Sequence, residues 1–153
     1  MIARAALFTL FAMVKFMSVS SAAEYASKAE ARAHVQEAIA FYQKVGAEKA
    51  FSEFNDPKGK FVDRDLYIFV LDKKGTQLAM GANPALVGLN RIEAVDLSGR
   101  SYVKQMIDVA MHDGSGWIEY NRTNPANKQI EDKVSYVQRE GDYIFGCGAY
   151  GKK

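Results

Sequence analysis

Few side chains in this sequence have the type and spacing for covalent chemistry. Cys147 is the only cysteine. A nucleophilic thiol needs a base or a cation beside it. Cys147 sits between Gly146 and Gly148 in an apolar run, which reads as a small buried residue. His34 and His112 are the only histidines and stand in no dyad. Asp72, Asp96, Asp108, Asp113 and Glu119 are scattered, without the spacing of a cation-binding loop. No glycine-rich phosphate loop is present. No catalytic residue, metal or cofactor is therefore expected, and the chemistry left to the chain is non-covalent recognition.

Charge narrows the partners. The 153 residues carry 20 Lys and Arg against 18 Asp and Glu. Arg4 opens an apolar run from Ala5, and Ser21-Ala22-Ala23 precedes Glu24. That pattern predicts a secretory leader over residues 1–23, cleaved after Ala23, and a periplasmic or secreted location. The run is too short to span a bilayer, which takes ~20 apolar residues. Two cations, Arg4 and Lys15, fall in the leader, so residues 24–153 hold 18 cations and 18 acids. Without a clustered basic face, nucleic acid is not an expected partner. With one cysteine there is no intrachain disulfide, and a single domain over 24–153 must be held by its core.

The elements follow from periodicity. Val35, Ala38, Ile39, Tyr42 and Val45 share one helical face. Ser27 and Glu30 form a candidate capping box, and Gly46 separates a second short helix, Ala47 to Phe54, ended by Asn55-Asp56-Pro57. From Asp65 the period becomes two. Residues 65–72 and 76–81 read as a hairpin about Lys73-Lys74-Gly75. Leu66, Ile68 and Val70 point one way while Tyr67, Phe69 and Leu71 point the other, which marks a strand buried on both faces. A long connection with Pro84, Gly88 and Gly99 follows. The next helix has Tyr102, Val103, Met106, Ile107 and Ala110 as its inner stripe, with Ser98 and Ser101 as candidate caps. Runs at 116–122, 131–139 and 142–151 read as an antiparallel meander, its last turn at Glu140-Gly141-Asp142. The order predicts an α+β fold with a five-stranded antiparallel sheet.

The set "DLYIFVLDKKGTQLAMGANPALVGLN", "DLSGRSYVKQMI", "GSGWIEYNRTNP" and "DKVSYVQREGDYIFGCGAY" resembles the single Cache sensor domains, over about residues 60–150. The resemblance implies a PAS-like fold: a long N-terminal helix on one face of the sheet, and a loop and short helix over a ligand site on the other. It implies an extracytoplasmic sensor, commonly of small organic acids, found in chemoreceptors and histidine kinases. Two departures stand out. Without a transmembrane helix or signalling domain after residue 151, the chain reads as a stand-alone module that needs a membrane receptor or kinase partner. And Met80 stands where a histidine is expected, removing a polar contact.

The matched motifs supply Trp117, Tyr120, Lys133 and Tyr136, with Lys133 as the charge partner of a carboxylate. Tyr67 adds a hydroxyl donor, and Tyr150 closes one end. Strand parity sets a conflict. Lys133 and Tyr136 lie three apart, as do Trp117 and Tyr120, so each pair faces opposite sides unless a bulge intervenes. Gly146, Gly148 and Tyr150 share one face. If that is the pocket face, the absent side chains make room for a ligand; if it is the helix face, they let the helix approach. Three functions are weighed. The first is a sensor for a small ligand. The second is an envelope interaction module with a self-filled pocket. The third, an enzyme, is set aside. The amphipathic run 24–45 is a candidate homodimer surface, although Lys28, Glu30, Arg32, Gln36, Glu37 and Lys44 make its outer face polar.

Overall fold

A computed structural model describes residues 25–151. The proposed leader lies outside these residues. The first helix, α1 (Lys28–Val45), starts where the sequence predicts. The Ser27 hydroxyl accepts the Glu30 backbone N–H, and the Glu30 carboxylate accepts the Ser27 backbone N–H. That N–H, and next the Arg64 guanidinium, hold the Glu30 carboxyl down at about 2. Ala31, Val35, Ala38 and Ile39 form the buried stripe. Gly46 adopts φ +82°, a conformation L side chains resist, and turns the chain at once into α2 (Ala47–Phe54).

The sheet is five-stranded and antiparallel, as expected. Its strands are β3 (Phe69–Asp72), β4 (Gln77–Met80), β5 (Ser115–Thr123), β6 (Ile130–Glu140) and β7 (Tyr143–Tyr150), in the order β4-β3-β7-β6-β5. The last strand therefore inserts beside the first hairpin. The expected strand 65–72 is divided. Its first part, β2 (Leu66–Tyr67), pairs with β1 (Val62–Asp63). The pairing then changes at Ile68, whose carbonyl accepts from Gly81. The edge of β4 is not bare: Gln77 exchanges backbone hydrogen bonds with Leu89 and Gly88 of the long connection. That loop covers an edge that would otherwise invite strand addition. It also holds a single 3₁₀ turn, Pro84–Leu86, capped by Asn83.

Two cores sandwich the sheet. On one face Leu66, Ile68, Val70, Phe145, Cys147 and Ala149 pack against α1 and α2. On the other, Tyr67, Phe69, Leu71, Ile118, Tyr120, Ile144 and Tyr150 pack against α3 (Tyr102–His112). Burial raises the Cys147 thiol to about 12, so it is an inert core group. Ser101 occupies the N-cap of α3 without a hydroxyl cap bond, and the Ser98 hydroxyl turns to Asn121 instead. No helix among the described residues is long and apolar enough to cross a membrane.

The two glycines of β7 lie on the α3 face, with Tyr150. The room they leave is taken by the protein itself. A Cβ on Gly146 would strike the Phe69 ring, and one on Gly148 would strike the Ser135 hydroxyl.

Candidate functional site

Register builds the site. Tyr120, Lys133 and Tyr150 face one another in a single row across β5, β6 and β7. Lys133 is only 2% exposed. Its Nζ donates to the Tyr67 hydroxyl at 2.7 Å and lies 3.9 Å from the Tyr67 ring centroid and 4.7 Å from that of Tyr150. Ring faces attract a cation, yet burial, reinforced by the Arg122 charge, still pulls the Lys133 pKa below its ordinary value.

The tyrosines form a directed chain. Tyr150 donates its proton to the Thr123 carbonyl at 2.9 Å. The 3.1 Å contact between the Tyr67 and Tyr150 hydroxyls must then use the Tyr67 proton. Tyr67 in turn accepts from Lys133. Burial raises the pKa of both phenols, so both remain protonated donors. The Tyr120 hydroxyl bonds to Ser135 at 3.0 Å.

Two further cations complete the site. Arg91, from the long loop, and Arg122, from β5, donate to the Tyr102 hydroxyl at 3.0 and 3.2 Å. The Tyr102 ring stacks on Tyr120, with centroids 4.5 Å apart and planes 3° from parallel. Two guanidinium groups thus meet on one neutral oxygen. Neither makes a salt bridge with a described carboxylate; the described salt bridges belong to Arg64, Lys73 and Arg100. The buried acid Asp65 does not serve, because its oxygens accept the backbone N–H groups of Ala26 and Tyr150. Asp96 does not serve either. Burial alone would raise its pKa. Backbone N–H donors from Arg100, Asn121 and Ser98, with the Arg100 side chain, outweigh that and hold it at about 2. These bonds fix the loop against β5 near Arg122.

Tyr67, Tyr120, Arg91 and Arg122, with Tyr102, Val103 and Met106 of α3, line a cavity of about 20 Å³, room for one water. A larger hollow of about 270 Å³ opens at the strand ends. Its walls include Tyr120, Lys133 and Tyr150, and they mix Lys28 and Arg100 with Glu119 and Asp132, so it presents no single sign of charge. The cavity under α3 is the candidate site.

Of the sequence-derived site residues, the structure brings Tyr67, Tyr120, Lys133 and Tyr150 together. Tyr67 and Tyr120 line the small cavity, where Met80 adds an apolar wall, while Lys133 and Tyr150 border the larger hollow together with Tyr120. Tyr136 and Trp117 are not with them. The β5–β6 register runs without a bulge, so parity holds and puts both residues on the α1 face. There their rings lie 5.2 Å apart, with the Arg32 guanidinium over Tyr136, and Trp117 is 38% exposed. Arg122, which was not among the sequence-derived site residues, reaches the site. The signal was available, since Arg122 shares the parity of Tyr120. Tyr102 looked like core from its helical stripe. Arg91 carried no sequence signal, because a loop has no period.

The sequence matches the profile of the Single Cache domain 2 family over residues 3–152. Among curated proteins none matches. Solved structures of similar fold include a methyl-accepting chemotaxis protein from Vibrio parahaemolyticus RIMD 2210633. It is 21% identical, with a TM-score of 0.69 over 80% of this chain and 87% of that one. Another is a Cache chemosensory domain described for carboxylic acid recognition, 23% identical, with a TM-score of 0.70 over 81% and 92%. A third is the periplasmic sensor domain of a chemotaxis protein, 21% identical, with a TM-score of 0.63 over 81% and 90%. At these identities the likeness concerns the fold, and the fold agrees with the profile match: this chain belongs to the single Cache domain family.

Proposed function

We propose that the protein is an extracytoplasmic sensor module that captures a small carboxylate beneath α3. The observation that carries this reading is the meeting of Arg91 and Arg122 on the Tyr102 hydroxyl, beside buried Lys133. Like charges gathered in a partly dry site repel and lose hydration. A carboxylate relieves both, and a guanidinium takes it in a two-pronged hydrogen bond that a phenol oxygen cannot match. The ligand replaces the Tyr102 hydroxyl, and the cavity widens as the Tyr102 ring and α3 yield. Export by a leader over residues 1–23 places the module in the periplasm. A membrane receptor or kinase then reads the ligand state, with α1 as the surface for a partner or a second copy. The carboxylate recognition described for a structural neighbour supports this reading.

The test is a thermal-shift screen of the purified protein with acetate, propanoate, butanoate and larger homologues. A ligand at 100 times its Kd adds about 2.7 kcal/mol, a rise in Tm of about 10 °C for a domain of this size. Arg122→Gln and Arg91→Gln are expected to abolish the rise.

One observation favours a second reading. The cavity is small, and no buried polar side-chain atom among the described residues lacks a partner. In that reading the site is filled by the protein's own side chains and the module serves protein–protein interaction. Absence of a shift with every carboxylate supports it.

A further inference from the structure

Gln77 plays no part in the anion site, yet it is 3% exposed, nearly as deeply buried as Lys133. It lies opposite Leu71 in the β3–β4 register and lines the same cavity. Its Nε2 donates to the Ala79 carbonyl at 2.7 Å and to the Val70 carbonyl at 3.1 Å. Two carbonyls fix the amide's orientation, because the reverse would set Oε1 against both. Both amide hydrogens are then used. Oε1 accepts from no described residue, and no buried polar atom sealed from open space is left without a partner. Oε1 therefore keeps some accessible surface, on a residue that lines the cavity. Leu71, opposite Gln77, gives the cavity its apolar walls together with Met80, Val103 and Met106. A carbonyl acceptor in such walls is costly until a donor meets it.

We infer that the ligand is bifunctional, with a carboxylate at the arginine end and a hydrogen-bond donor, an amine or a hydroxyl, received by Gln77 Oε1. This rests on the carboxylate reading above. Arg91 and Arg122 meet on Tyr102 of α3, whereas the Gln77 amide is held on carbonyls of β3 and β4, so the two are separate lining points of the cavity. Donor and carboxylate therefore belong to opposite ends of the ligand. A second carboxylate is the group this end rejects, because it would set lone pair against lone pair in an apolar wall.

Titration calorimetry on the purified full-length chain tests this with three matched series: butanoate, pentanoate and hexanoate; their ω-amino and ω-hydroxy counterparts; and the dicarboxylates of the same lengths. The best ω-substituted acid is expected to bind at least tenfold tighter than its parent, and each dicarboxylate more weakly than its parent. Gln77→Met, which keeps the volume and removes the acceptor, is expected to bring the ratio of ω-substituted acid to parent close to one. Parents that bind as tightly as their ω-substituted partners, or dicarboxylates that bind tightest, overturn the inference while the anion site stands. Absence of binding by every compound removes both. Should Gln77→Met fail to fold, the ligand series on the unaltered protein decides alone.

Discussion

The two faces of one sheet are built from the same strands and solve opposite problems. Toward α1 and α2, Phe54 is fully buried and meets the Phe61 ring edge-on at 4.7 Å and the Phe145 ring at 6.3 Å. The polar groups on that side, such as the Tyr136 hydroxyl on Gln138, sit at the rim. Toward α3, the same β6 that offers Tyr136 to the helix turns Lys133 and Ser135 inward. Parity alone separates them. A face closed by rings needs nothing further. A face that gathers Lys133, Arg91 and Arg122 outside any described salt bridge is the one the proposed carboxylate would complete.

The largest expected effect falls on the closed face. Phe54→Ala removes a ring packed among four other phenylalanines and leaves a cavity that α2 cannot refill. Urea denaturation should show a loss of about 3–5 kcal/mol, with carboxylate affinity of the folded protein unchanged. A loss under about 1 kcal/mol, or a loss of binding at full stability, breaks the division of labour between the faces.

The contrast also explains what the sequence disclosed. Features set within one element were legible: the α1 stripe, the Ser27–Glu30 box, the break at Gly46 and the two-faced alternation of Leu66 to Leu71. Each depends on neighbours in the chain. The placing of Lys133 opposite Tyr136 was legible too, as a conflict of parity, although the sequence did not say which member faced α3. Arg91 and Tyr102 were hidden because their meeting depends on where a long loop crosses α3. The glycines of β7 were legible as missing bulk, but the space belongs to Phe69 and Ser135, which pairing across strands decides. Met80, expected as a lost polar contact, is an apolar wall of the cavity; the polar group near it is Gln77, one strand position that composition gave no reason to choose.

A middle-sized effect sharpens the comparison from the other side. Lys133→Met puts a side chain of similar length in the aromatic cage and removes a buried cation. It should stabilise the unliganded protein by about 1–2 kcal/mol while weakening carboxylate binding. The pH dependence gives a second readout. The folded pKa of Lys133 lies below its unfolded value, so the unfolded state binds the extra proton. The cost of the lysine is complete below the folded pKa and fades as pH rises toward about 10.4. The advantage of the variant should narrow over that window. A destabilised variant would mean that the rings and the Tyr67 hydroxyl hold the cation more strongly than burial opposes it.

The smallest effect concerns the loop that delivers Arg91. Asp96 is held at about 2 by the N–H groups of Ser98, Arg100 and Asn121, against an ordinary value near 4. A depressed folded pKa adds stability that is complete above the unfolded value and is lost as pH falls from about 4 toward 2. Asp96→Asn should flatten the acid limb of the stability curve between those limits, measured by urea titration at each pH. Glu30, also held at about 2, contributes to the same limb from the α1 side, so the flattening is partial, and Glu30→Gln should remove a further part. The two variants differ in one respect that ties back to the faces. Asp96→Asn frees the loop beside Arg122 and should weaken carboxylate binding at neutral pH, whereas Glu30→Gln, acting on the closed face, should leave it unchanged. Equal effects on binding would show that the acid-sensitive bonds serve the fold as a whole and do not position the guanidinium pair.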